Sequence, residues 1–155
     1  MGHILATSLV RRTRSAEIEM MNVPNLVQAE TNLNLMASYE ERLHDAKEHY
    51  PFSGWRESGL EQYTEQACSS FVAIFDDLIA KLVALGPDAP ADAKLALFRE
   101  AIEATNELDE QDCSLIETGE REELCELTNQ IAVAAGLDPD MYGDGEGPAS
   151  EWRNW

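Results

Sequence analysis

Basic side chains are scarce in this chain of 155 residues: 11 Lys and Arg stand against 30 Asp and Glu, a formal net charge of −19 with the three His neutral. A protein that grips nucleic-acid phosphates needs a basic field to displace their counterions, so direct binding of DNA or RNA is not expected. No apolar run reaches the ~18 residues of a membrane-spanning helix, and no membrane partner is expected either. Cysteine is limited to Cys68, Cys113 and Cys125, an odd number without a CxxC pair. That excludes a disulfide framework and a zinc site built on close ligand pairs, and it points to a reducing, cytoplasmic setting. Alternating runs long enough for a sheet are missing, as are a Gly-x-Ser-x-Gly elbow and a phosphate-cradling loop.

What remains is enough for a core. Hydrophobic residues make up 44% of the chain, and a single domain of this length buries roughly 70% of its unfolded surface. Residues 1–22 read as a flexible leader: His3 to Val10 is weakly apolar, and Arg11, Arg12 and Arg14 follow it. A secretory signal has the opposite order. Met20 and Met21 are alternative starts. Residues 20–155 carry 8 basic and 28 acidic side chains, so the acidity belongs to the domain.

The periodicity predicts an all-α fold of four to five helices in an irregular bundle over residues 23–137, followed by an acidic tail over 138–155. Ala29, Leu33, Met36, Tyr39, Leu43, Ala46 and Tyr50 form one helical stripe from about Pro24 to His49. Pro51 then ends that helix. A central helix is expected from about Glu57 to Leu85, with Leu60, Tyr63, Ala67, Phe71, Ile74, Leu78, Leu82 and Leu85 as one stripe, Val72, Phe75, Ile79 and Val83 as a second from Cys68 onward, Cys68 packing as a small hydrophobe, and Gly86-Pro87 as its stop. A third helix runs from Pro90 to about Leu108. A fourth starts after Thr118, whose hydroxyl is expected to cap it, and closes at Gly136-Leu137 in a Schellman turn. The tail holds Trp152 and Trp155, whose burial would dock it on the helices.

Several constellations invite a chemical reading. Glu41-x-x-His44 is half of a di-iron helical signature, but the matching second Glu-x-x-His is missing. Asp138 to Glu146 has acidic residues at positions one, three, seven and nine of a calcium loop, yet Tyr142 and Ala149 stand where an acidic or amide ligand and a bidentate Glu belong. The three cysteines with His44 or His49 assemble no nucleophile, base and oxyanion set. No enzyme activity, metal or cofactor is therefore expected. The strongest signal is the 11 acidic residues between Glu100 and Glu126, opposed only by Arg121. Helical neighbours such as Glu103 and Glu107 repel by a few tenths of a kcal/mol. A solvated, solubilising surface accounts for them; so does a face that steers a basic protein partner. On the second reading Glu103, Glu107, Asp109, Glu110, Asp112, Glu120 and Glu123 are the contact residues, with Tyr142, Trp152 or Trp155 as anchors where exposed.

Leu97-Phe98 through Leu108, Glu120-Arg121-Glu122, Cys125-Glu126-Leu127, Gly136-Leu137, Tyr142-Gly143 and Tyr50-Pro51 together resemble a small, uncharacterised family of bacterial helical domains. The resemblance covers roughly residues 50–145 and implies a helical fold without an established activity. In size, acidity and lack of a catalytic kit the chain is also similar to bacterial immunity proteins, which neutralise toxins, many of them basic nucleases. That similarity implies a non-enzymatic inhibitor of a basic toxin domain. The competing classes are a nucleic-acid mimic that occupies a DNA-binding protein and a helical domain that binds a small molecule or a metal.

Overall fold

The computed structural model describes residues 13–111 and 115–155, and among these it is helical, without a strand. Six α-helices follow in order: α1 (Thr13–Asp45), α2 (Phe52–Glu57), α3 (Glu65–Leu85), α4 (Ala91–Gln111), α5 (Thr118–Ala134) and α6 (Ala149–Trp152). Residues 1–12 of the expected leader, together with Asp112 and Cys113, lie outside the described residues. The chain divides into two compact units, the first ending at Met36 and the second running Ala37–Trp155. All-α architecture follows from the absence of period-two patterning and from apolar stripes that recur every three or four residues.

The core belongs to the second unit. Tyr39 and Leu43 of α1, Phe52 and Trp55 of α2, Phe71, Phe75, Ile79 and Leu82 of α3, Phe98 and Ile102 of α4, and Leu124, Leu127 and Ile131 of α5 are all buried. Its centre is aromatic: the Phe52 ring stacks on Phe71 at 5.5 Å and meets the edge of Trp55 at 5.1 Å. Each such ring removes on the order of 150–250 Å² from water, so this cluster contributes substantially to the packing energy.

Several sequence expectations are corrected. The inward stripe of α1 is split, because Ala29, Leu33 and Met36 are exposed while Tyr39, Leu43 and Ala46 are buried. The helix also begins at Thr13, inside the segment read as a leader. The helix expected from about Glu57 to Leu85 begins only at Glu65, and a short helix precedes it where a turn was expected. Pro51 starts the short α2, its carbonyl accepting from Trp55 N–H at 3.1 Å, and Gly59 turns the chain at a φ of +77°. Thr64 then caps α3 by accepting from the Ala67 N–H at 3.1 Å, so Leu60 and Tyr63 lie before the helix, and of the expected stripe Leu60 and Leu85 are exposed. At the start of α5 the cap position is Glu117 and makes no side-chain cap bond, with Thr118 already helical.

The end of α5 is as expected. Gly136 N–H donates to Val133 O and Leu137 N–H to Ala132 O, both at 2.9 Å, the paired bonds of a Schellman turn. Gly136 takes the positive φ of +83° that the turn requires. Beyond it the chain folds back along the helices. Buried Asn106 of α4 donates to Trp152 O at 2.9 Å and accepts from Asn154 N–H at 3.1 Å, and Trp152 and Trp155 pack half-buried on the core.

Candidate functional site

Four carboxylates project from one face of α4. Glu100, Glu103, Glu107 and Glu110 follow one another at steps of three and four, and all are exposed. The row is about 15 Å long at 1.5 Å per residue. Glu100 pairs with Lys81 at 2.9 Å, and Lys81 also holds Asp77 at 2.8 Å; Glu103 pairs with Arg99 at 2.7 Å. Glu110 accepts from the Asn154 amide at 3.3 Å. Glu107 makes no ion pair among the described residues. Exposed pairs of this kind contribute only ~0.2–1 kcal/mol and exchange readily, so a competing cation can displace them.

The rest of the expected contact set serves the fold. Asp109 accepts from the Ile116 N–H at 2.8 Å and so fastens the chain leading from α4 to α5. Glu123 of α5 accepts a hydrogen bond from the indole N–H of buried Trp55. Glu120 is half-buried beside Tyr63, whose phenol donates to Leu115 O at 2.9 Å. Burial, reinforced by the Glu120 carboxylate, pushes the Tyr63 phenol up to about 12. Asp112 is outside the described residues. The structure therefore brings Glu103, Glu107 and Glu110 together on one outer face, gives Asp109 and Glu123 intramolecular hydrogen bonds, and leaves Glu120 half-buried near Tyr63. Tyr142, Trp152 and Trp155 are half-buried against the core, with the Arg153 guanidinium 5.7 Å from the Trp155 ring.

The chemical alternatives find different geometry. His44 Nε2 lies 3.5 Å from Glu40, both side chains half in water, and Glu41 is exposed. In the tail, Asp138 caps the Asp140 N–H at 3.1 Å, Glu151 accepts from the Gly143 N–H at 2.8 Å, and Glu146 accepts from the Ser150 hydroxyl at 3.1 Å. These carboxylates close turns rather than converge on a point. Among the described residues no group of three His, Cys, Asp or Glu is placed to hold a metal ion. Burial raises the pKa of Cys68 and of Cys125, which is the opposite of what an activated thiolate needs.

Two features escaped sequence reasoning. A groove of about 580 Å³ runs along the outer side of α5, lined by Glu122, Cys125, Glu126, Asn129, Gln130 and Val133. Its signal was Val133, which lies off the buried Leu124, Leu127 and Ile131 stripe and is 61% exposed. The second is Lys94, only 4% exposed, which joins Phe98, Ala101 and Thr105 on the buried face of α4. A lysine in phase with a core stripe was the available clue.

No family model, no curated protein and no solved structure matches the chain.

Proposed function

We propose that this protein is a non-enzymatic binding protein of the immunity type, which acts in the cytoplasm by covering the basic surface of a cognate toxin domain with the outer face of α4. The observation that carries this reading is the exposed row Glu103, Glu107 and Glu110, set in a chain with a net charge of −19. Such a field steers a basic partner and raises the association rate, while rigid helical spacing fixes which cations it fits. The ~15 Å row corresponds to about four base-pair steps. It suits a compact basic patch on a protein better than imitation of a long duplex.

The test is co-expression with the products of neighbouring reading frames, followed by association kinetics at low and high salt. A basic partner should bind, and its toxicity to the host should be neutralised. Glu107→Lys with Glu110→Lys should slow association about tenfold at low salt and far less at high salt. An unchanged rate at low salt removes α4 from the interface. Absence of any basic partner whose activity is blocked overturns the reading as a whole.

A further inference from the structure

Beside the acidic row, α3 and α4 leave a hollow of about 400 Å³ between them. Its lining is apolar, with Ala73, Ile74 and Leu78 from α3 and Leu97, Ala101 and Ala104 from α4. Three of these six are alanine, so the two helices meet there without side chains long enough to fill the space. Leu78 and Ala101 are buried and form the floor, whereas Ala73 is exposed on the wall. Charge rims this apolar patch. At one end Lys81 spans the two helices, holding Asp77 at 2.8 Å and Glu100 at 2.9 Å. At the other end Glu107 follows Ala104 by about one turn of α4, is exposed, and makes no ion pair among the described residues. Three carboxylates against one ammonium leave the rim negative.

We infer that this hollow is an anchor site, which seats a large apolar side chain from a helix of a basic protein, with Lys or Arg one turn away to meet Glu107. The inference rests on the reading of α4 as the side that faces a partner, and it specifies what that partner presents. A groove between two helices accepts a third helix laid along it, whose side chains three and four apart reach the groove together. The rim decides what flanks the anchor. An acidic neighbour is repelled, whereas a cation meets Glu107 and competes with Lys81 for Asp77 and Glu100. The two parts act on different rates. Exposed carboxylates steer the encounter and set association, while an apolar side chain withdrawn from water into a formed hollow slows dissociation. A charged row without the hollow supplies only the first.

The test uses the full chain and two fluorescently labelled helical peptides of about 16 residues, built from Ala and Lys. One carries a single central Leu with Lys four residues away on either side; the other has Ala in place of that Leu. Fluorescence anisotropy at low salt should show the Leu peptide bound about fivefold more tightly. Ala73→Phe fills the hollow from its exposed wall and should abolish that preference. Val133→Phe adds an aromatic ring on the exposed outer side of α5 and should preserve it. Both sites are exposed, so neither ring disturbs the core. Glu107→Lys should weaken both peptides. No binding, a preference that survives Ala73→Phe, or one removed by Val133→Phe would overturn the inference. Equal binding of the two peptides that Glu107→Lys still weakens would overturn the anchor and leave the acidic face standing. A Leu preference with affinities indifferent to Glu107→Lys would overturn the pairing of anchor and charge.

Discussion

Replacing Lys94 by Met tests whether a buried cation holds the bundle together. The ammonium of this α4 residue donates to Ala135 O at 2.7 Å and to Pro87 O at 2.9 Å. Ala135 caps the end of α5, and Pro87 directly follows Gly86, the cap of α3. One positive charge thus sits on the capping carbonyl of α5 and on a linker carbonyl just past the end of α3, near the negative ends of both helix dipoles. It also lies 5.3 Å from the ring of Tyr39, whose hydroxyl donates to Leu82 O near the end of α3. Methionine keeps the apolar stem and abandons both carbonyls. Each carbonyl left buried without a donor costs about 1–3 kcal/mol, and the lost dipole and ring interactions add about 1 kcal/mol or more. Burial lowers the Lys94 pKa, the sign of a desolvation cost that methionine removes, and this returns part of the loss. A net destabilisation of about 2–4 kcal/mol follows. Urea unfolding followed by tryptophan fluorescence reads it directly, because Trp55 is buried in the same unit. At a slope of about 2 kcal/mol/M the midpoint should fall by about 1–2 M. An unchanged or higher midpoint would show that desolvating the ammonium costs more than its bonds contribute, and the reasoning would fail.

Two further predictions concern the fold. The Tyr63 phenol is raised from 10.0 to about 12, so the folded state retains its proton where the unfolded chain loses it. Its contribution is therefore complete below pH 10 and is lost as pH rises toward 12, a decline of about 2–3 kcal/mol by linkage; Tyr63→Phe should flatten that part of the alkaline stability curve, and an unaltered slope would contradict the assignment. Gly147 has a φ of +112° and a Cβ built there would lie 1.8 Å from Asn129 Oδ1. Gly147→Ala should lower the melting temperature by about 10 °C, whereas Gly54→Ala, with nothing within 4 Å of the added methyl, should leave it nearly unchanged; equal effects would show that the fold-back of the C-terminal segment is not tightly held.

Much of the helical architecture was legible because local chemistry decided it. The period of Phe71, Leu78 and Leu82, the Gly86-Pro87 stop and the Gly136-Leu137 closure act within a few residues, and the structure carries them out as written, while Leu85 of the same stripe is exposed. Cys68 in its apolar setting is buried, again from local pattern. The break between α2 and α3 was harder to read. Leu60 and Tyr63 fit the helical period, while Thr64 and Gly59 encode a cap and a turn, and the aromatic packing of Phe52 and Trp55 settled that competition in favour of the turn.

The candidate site divided along the same line. Composition and spacing sufficed to put an acidic row on α4, since residues three and four apart must share a helical face. Which carboxylates remain available to a partner is a tertiary matter. Glu123 meets Trp55 from a distant helix, Asp109 fastens the chain before α5, and Glu120 lies beside Tyr63; each has neighbours far away in sequence that no local period encodes. The same holds for α1, where one apolar stripe is buried from Tyr39 onward and exposed up to Met36. Sequence alone determined the stripe, because period depends only on covalent spacing. Burial depends on what packs against it, and only the folded chain decides that.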